Sequence, residues 1–221
     1  MGSHSIPLAE LCERYRRLYV PAIADVLDAR GLWHQCMDSG IQPLQISMRI
    51  AGPAFTALGA PERNEDKSIR LGARMIDELS EHEIAIFDTA DDQATGHWGE
   101  LLTNGALARG ATGAVIDGGI RDTNSMLDLD FGVFYRFRAP RDARGRWNVV
   151  DWQTRVVCGG VPVCPGDIVV GDADGVVVVP QGVATDVLLE AEELVRTESD
   201  IRERVRSGES VGSLYEEYER F

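Results

Sequence analysis

Lysine is nearly absent from this chain of 221 residues: Lys67, in the polar stretch PERNEDKS, stands alone. No apolar run approaches the ~20 residues that would span a bilayer. The opening MGSHSIPLAELCERYRR lacks the apolar core of a secretory signal. A cytoplasmic location with no membrane attachment is the expectation. There is no block of basic residues, and 36 acidic against 22 basic residues leave a net charge of −14. Such a surface repels phosphate backbones, so nucleic acid is not an expected partner, whereas a basic protein surface is compatible with it. Cys12, Cys36, Cys158 and Cys164 are scattered without a CxxC or Cys/His ligand spacing and read as reduced, partly buried thiols. No G-x-G turn with an acidic partner follows a first strand, so a nucleotide-like cofactor is not expected.

What is present is the make-up of an ordinary globular chain, 44% hydrophobic and 26% charged, long enough for one sizeable core. Pro7 to Tyr19 has the apolar spacing of a short amphipathic helix, and Pro21 suits the first turn of a second helix that ends at Gly31. The 32–43 stretch reads as a loop in which His34 and Cys36 are packing residues rather than metal ligands. MRIAGPAFTAL (48–58) reads as a bent strand, PERNEDKS as a loop, 68–79 as a helix and EIAIFD (83–88) as a buried strand. The helix ELLTNGALARG, capped by Gly110, leads to a second buried strand at 114–116. Strand, helix and strand in this order predict a parallel βαβ unit. After a short helix (TNSMLDL) and a strand at 132–138, short strands crowd together: NVVDWQTRVV, VPVC, DIVVGD and GVVVVP, with Asp174-Gly175 as a tight hairpin turn. Residues 183–206 and 211–218 close the chain as helices. The reading is a single α/β domain with a β-rich second half and C-terminal helices. It divides into an N-terminal helical arm (1–20), the α/β domain (21–180) and a helical tail (181–221) packed on the same domain or on a neighbouring subunit.

The chemistry concentrates in GHWGELLTNGALARGATGAVIDGGIRD, Gly96 to Asp122. Two glycine-punctuated turns bracket a helix and a strand. The first carries Gly96, Gly99 and Glu100; the second carries Asp117, Gly118, Gly119, Arg121 and Asp122. If the flanking strands are parallel, both turns end on the sheet edge where ligands of open α/β layers gather. The helix that starts near Trp98 offers free N–H groups at Gly99, Glu100, Leu101 and Leu102, an anion site by construction. Arg121 can grip a carboxylate or developing oxyanion in a fixed fork. Asp122 is a hard oxygen ligand suited to Mg²⁺ or Mn²⁺, with Glu100 acting directly or through water. Each piece has a purely structural alternative: a helix start whose dipole the Glu100 charge offsets, and a helix cap with a local ion pair. Asp117 is a second candidate for shaping the site. Asp88, Asp91 and Asp92 read as solvated loop charges, and His97 as structural although within reach of a ligand.

ADVLDARG, AGPAFTAL, GHWGELL, VIDGGIRD and the stretch from PRDARGRWNVVD through VPVCPGDIVVGDADGVVVVP together resemble the RraA-like family. That family includes 4-hydroxy-4-methyl-2-oxoglutarate/4-carboxy-4-hydroxy-2-oxoadipate aldolases and the regulator of ribonuclease activity A. The resemblance implies a swivelling β/β/α-type domain, a homotrimer or homohexamer, and sites at subunit boundaries. It also implies a divalent-metal-dependent aldolase that cleaves a 4-hydroxy-2-oxo acid to pyruvate and a second carbonyl compound, with oxaloacetate decarboxylation as a side activity. By the same resemblance Asp122 ligates the metal, Arg121 contacts the pyruvyl group, and the amides from Gly99 to Leu102 hold its carboxylate. Glu100 stands where the aldolase pattern has Asp. A neighbouring subunit's carboxylate, from among Glu190, Glu192, Glu193 and Glu198, completes the site. No Schiff-base lysine is required. The alternative reading is a non-enzymatic regulator that binds and inhibits a ribonuclease through its acidic face. A third is a lyase on a different oxo acid, its pocket lined by Trp33, His34, His97 and Trp98.

Overall fold

The central strands of this chain are near-continuous apolar runs, buried on both faces, so the sheet must be covered on both sides. The computed structural model describes residues 6–63 and 65–218, with residues 65–70 described by their backbone alone. The ends of the 1–20 arm and of the 181–221 tail, and the Lys67 side chain, lie outside the described residues. Two helices open the chain, α1 (Leu8–Arg17) and α2 (Val20–Ala29). They are followed by β1 (Gln42–Pro43), β2 (Ile50–Pro61), α3 (Glu65–Asp77), β3 (Ile84–Asp88) and the three-residue β4 (Gly96–Trp98). Next come α4 (Glu100–Ala108), β5 (Gly113–Ile120), α5 (Thr123–Leu127), β6 (Gly132–Arg138) and β7 (Trp147–Trp152). The remainder is two hairpins, β8 (Val156–Cys158) with β9 (Val161–Val163) and β10 (Ile168–Asp172) with β11 (Gly175–Val179), then α6 (Ala184–Arg206) and α7 (Val211–Tyr218).

The main sheet runs β1-β6-β5-β3-β2-β10-β11, with β4 added beside β5 and β7 beside β2. Its centre is parallel: β2 with β3, β3 with β5, and β5 with β6. The expected βαβ unit is β3, α4 and β5, and register pairs Asp88 with Asp117, so both strands end on one edge. The sheet curls into a nearly closed barrel. Ile50, Ala54, Ile84, Ile86, Val115, Phe134, Val169, Val176 and Val178, from six of its strands, fill one interior cluster together with Val156, Cys158, Val161 and Val163 of the β8–β9 hairpin. The other strand parity faces outward. Phe55, Ala57, Ala85, Phe87, Ala114 and Ile116 meet buried residues of α3, α4 and α5. Ala51, Ile168, Val170, Val177 and Val179 meet α1, α2 and α6. Burial of three such clusters is the main stabilising contribution.

Capping follows local chemistry. Buried Asp172 accepts the Val20 N–H at 2.9 Å and so caps α2 from across the structure. Gly110, at φ +81°, closes α4 in the left-handed cap expected of it. Asp172 and Gly175 pair across the two-residue turn of the Asp174-Gly175 hairpin.

Three expectations are corrected. The Asp117-Gly118-Gly119 segment is not a turn but part of β5, which carries a register shift against β6 between Ile116 and Gly119. The glycines are there for clearance: a Cβ on Gly118 would lie 2.7 Å from His97 Nδ1. The polar loop after Pro61 is short, because α3 starts at Glu65 rather than 68. Acidic residues in a first helical turn favour the helix dipole, so polarity there is no bar to a helix. The run NVVDWQTRVV is two strands, broken where Gln153 takes φ +53°.

Candidate active site

The loops at the carboxyl ends of β3, β4, β5 and β6 enclose a cleft of about 450 Å³. Its floor is apolar and aromatic (Ile76, Phe87, Trp98, Leu102 and Trp147), and its polar residues are Arg121, Asp122, Asp142 and Arg144 together with Asp77, His97 and Asn148. This is the composition of small-molecule sites, in which a mostly apolar hollow is given direction by a handful of charges.

The geometry grows from β4. Its short run beside β5 brings Gly96 and Gly99 against the segment that leaves β5, where the Arg121 N–H donates to the Trp98 carbonyl at 2.9 Å. A Cβ on Gly99 would lie 2.6 Å from Asp122 Oδ2, and one on Gly96 would lie 3.1 Å from Arg121 Cβ. The two glycines therefore let the Arg121-Asp122 pair press directly on the start of α4. Asp122 itself takes φ +57°, a left-handed conformation that a non-glycine residue adopts at a cost, so the surrounding structure holds the backbone from which its carboxylate projects. It precedes α5 without capping it through its side chain, and it lines the cleft.

At α4 the first N–H to bond back within the helix is that of Thr103, to the Gly99 carbonyl at 3.1 Å, and no side chain caps the turn before it. Gly99, Leu101 and Leu102 line the cleft beside that end. The free amides and the helix dipole together make an anion seat. Thr103 also accepts the Trp98 indole N–H at 2.8 Å, which pins the wall next to it.

Arg121 is held between two carboxylates. Its Nη1 lies 3.2 Å from Asp142 Oδ2 and its Nε lies 3.7 Å from Asp122 Oδ2. Asp142 was not a candidate from sequence. It arrives because β6 runs parallel beside β5 and the chain beyond it folds back on Gly96, whose N–H donates to the Arg141 carbonyl at 2.8 Å.

Other expected residues fall elsewhere. Glu100 is flanked by cleft-lining neighbours but does not itself line the cleft. Asp117 does not shape the site: it faces the barrel interior, where it pairs with Arg136 and accepts the Gly159 N–H at 2.7 Å. With Asp88, which accepts the Val157 N–H at 3.1 Å, it holds the β8–β9 hairpin in the barrel. Neither is simply a solvated charge, and nor is Asp92. Asp92 accepts from Thr95 and stands 3.0 Å from Nε2 of the buried His97, whose Nδ1 accepts the Gly119 N–H at 3.0 Å. His97 is therefore a neutral, fully engaged residue of the cleft wall, its ring set edge-on to Trp147. Burial draws its pKa below the ordinary value, and Asp92 offsets this only in part. Trp33 and His34 do not line the cleft. The four tail glutamates have partners in their own chain: Glu190 with Arg30, Glu192 with Arg14, Glu193 with Arg196, and Glu198 with the Tyr19 hydroxyl.

Among the described residues, no three His, Cys, Asp or Glu side chains gather into a ready metal cage. Both ring nitrogens of His97 are already engaged, so the donors open to a cation beside Arg121 are the partly exposed carboxylates of Asp122 and Asp142. That chemistry fits Mg²⁺ or Mn²⁺, which take one or two carboxylates and fill their remaining positions with water and substrate oxygens. It does not fit a closed zinc site.

Comparison with known proteins agrees with this architecture. The model of the RraA-like family, described as Aldolase/RraA, matches residues 20–178. The "Putative 4-hydroxy-4-methyl-2-oxoglutarate aldolase" of Halalkalibacterium halodurans is 32% identical over 194 residues, covering 88% of this chain and 87% of that one. Protein DlpA of Legionella pneumophila is 29% identical over 196 residues, which are 89% of this chain; the chain spans only 32% of DlpA's length. Among solved structures, one reported with novel cellulases from gut-associated microbes superposes with a TM-score of 0.84 at 36% identity, covering 90% of this chain and 91% of the other. Streptomyces coelicolor RraAS2, described as an unusual member of the RNase ES inhibitor RraA protein family, gives a TM-score of 0.79 at 26% identity, with 90% and 98% covered.

Proposed function

The chain belongs to the RraA-like (Aldolase/RraA) family, and from that premise we propose that it is a divalent-metal-dependent pyruvate aldolase cleaving a 4-hydroxy-2-oxo acid. The observation that carries the reading is Arg121 fixed between Asp122 and Asp142 beside the uncapped start of α4. One structural element there suits a carboxylate, one suits a developing oxyanion, and one suits a hard cation.

In this reading the amides of Glu100, Leu101 and Leu102 bind the substrate's C1 carboxylate. The Arg121 guanidinium faces the 2-oxo oxygen. A water positioned by Asp122 would take the proton from the C4 hydroxyl. As that O–H bond opens, C4 becomes a carbonyl, the C3–C4 pair moves to C2=C3, and negative charge collects on the 2-oxo oxygen against Arg121. Protonation at C3 yields pyruvate. The apolar floor of Phe87, Trp98 and Trp147 keeps bulk water from the enolate. Asp122 would hold a bound Mg²⁺ or Mn²⁺, Glu100 would act on it only through water, and such an ion would supply Lewis-acid polarisation of the oxo acid. Oxaloacetate reaches the same enolate by losing CO₂, so decarboxylase activity accompanies the aldolase. The working assembly is a trimer or hexamer in which a tail carboxylate of a neighbour reaches the cleft. The test is pyruvate release from 4-hydroxy-4-methyl-2-oxoglutarate and from oxaloacetate with Mg²⁺ or Mn²⁺, with and without EDTA.

The second reading is a protein-contact regulator of a ribonuclease. The likeness to RraAS2 and the net charge of −14 favour it. A pull-down with purified ribonuclease separates it from the first, since a pure regulator binds and releases no pyruvate.

A further inference from the structure

We infer that Arg144 is a specificity-determining residue, whose guanidinium takes an anionic group at the end of the substrate remote from the α4 carboxylate seat. This rests on the aldolase reading and extends it to a residue with no assigned role. Arg144 lines the same cleft as Arg121 and Asp122.

Its position is set by a stiff loop. Asp142 Oδ1 accepts the Arg144 N–H at 2.9 Å while Asp142 Oδ2 faces Arg121 at 3.2 Å. One carboxylate thus ties the Arg121 guanidinium to the backbone of Arg144, and both residues line the one cleft. Arg146 Nη1 donates to the Asp142 and Arg144 carbonyls, each at 3.2 Å, and Trp147 N–H closes the turn on Ala143 at 2.9 Å. These bonds hold the turn's shape, and the Asp142–Arg121 pair and the Gly96 N–H to the Arg141 carbonyl tie it to the cleft.

Charge points the same way. Arg121, Arg136 and Arg204 each meet two carboxylates. No ion pair joins Arg144 to a carboxylate of the described residues, although Asp142 is two positions away and its carboxylate turns to Arg121 and to the backbone instead. A guanidinium left over at the rim of a hollow that already carries an anion seat is complementary to a second anion. Arg121 holds the reacting oxygens, and Arg144 reads what is attached beyond them.

The experiment compares binding of 2-oxoglutarate and 2-oxopentanoate, equal in chain length but differing by the distal carboxylate, by calorimetry in the presence of Mg²⁺. Oxalate serves as a probe that reaches only the α4–Arg121 end. Wild-type protein should prefer 2-oxoglutarate by about tenfold, the worth of a charge-assisted hydrogen bond in a partly open cleft. Arg144→Ala should abolish the preference, Arg144→Lys should restore part of it, and oxalate affinity should stay unchanged in both. In turnover the loss should appear in KM for dicarboxylic substrates with kcat retained. If oxalate binds and the preference survives in Arg144→Ala, or is missing in the wild type, the assignment to Arg144 is overturned while the aldolase reading stands. If neither oxalate nor either oxo acid binds, the aldolase reading falls and the role of Arg144 falls with it.

Discussion

Gly99→Ala adds one carbon at the most crowded point of the site. Gly99 has φ −166° and ψ −170°, extended backbone that alanine adopts as readily, so the effect is steric alone. The new Cβ would lie 2.6 Å from Asp122 Oδ2, 3.3 Å from Arg121 Cγ and 3.5 Å from Asp122 Cγ. Ordinary contact begins at 3.4 Å, so Oδ2 must retreat by 3.4 − 2.6 = 0.8 Å. Asp122 is partly exposed and its side chain can turn, which keeps the stability cost near the low end for overpacking, about 1 kcal/mol. That corresponds to a fall in Tm of about 2–4 °C. Function is affected far more. A displacement approaching 1 Å of a group that acts by position costs on the order of a hundredfold in rate. The assay pairs differential scanning calorimetry with coupled pyruvate release, using Gly182→Ala as control because nothing lies within 4 Å of a Cβ there. A Gly99→Ala protein that keeps wild-type turnover would refute the claim that the close approach of Gly99 to Asp122 sets the site.

Two further predictions probe one residue of the cleft wall and one of the barrel interior. His97 has its folded pKa drawn below the ordinary 6.5, so the unfolded chain takes up a proton in the window just beneath 6.5 that the native chain refuses. Its contribution to stability is therefore present above pH 6.5 and lost as pH falls from there towards the lowered folded value. Thermal midpoints should decline over that window in the wild type and more shallowly in His97→Gln; parallel curves would contradict the assignment. Asp117→Asn breaks a half-buried pair with Arg136 and weakens the hold on Gly159, and should cost about 2 kcal/mol, some 4–8 °C in Tm. Pyruvate turnover of the folded variant should match the wild type, because Asp117 lies inside the barrel rather than in the cleft.

Much of this arrangement was legible in the residues themselves. The apolar runs at 83–88 and 114–116, with a helix between them, fixed the parallel pair and the edge on which its loops meet. The misreading of Asp117 has a definite origin. Glycines at 118 and 119 were taken as a turn, whereas they are clearance for His97 and Thr95; read as a strand, period two would have put Asp117 on the same interior face as Val115. Asp142 and Arg144 could not be found this way. Their stretch, PRDARGRWNVVD, marked the family but pointed to no chemistry, and only the parallel addition of β6 and the bond from Gly96 to Arg141 carry them to the cleft. Nor could the partners of Asp88 and Asp92, since both depend on where distant backbone N–H groups and a buried ring come to rest.

The central claim is that Arg121 and Asp122 run a metal-assisted cleavage to pyruvate. Its most direct test is a lactate-dehydrogenase-coupled screen of 4-hydroxy-2-oxo acids with added Mg²⁺ or Mn²⁺, run on the wild type and on Asp122→Ala. The account predicts pyruvate release that EDTA abolishes, that the metal restores, and that Asp122→Ala lacks while remaining folded. Absence of EDTA-sensitive release with every such acid, or undiminished release from Asp122→Ala, would contradict it.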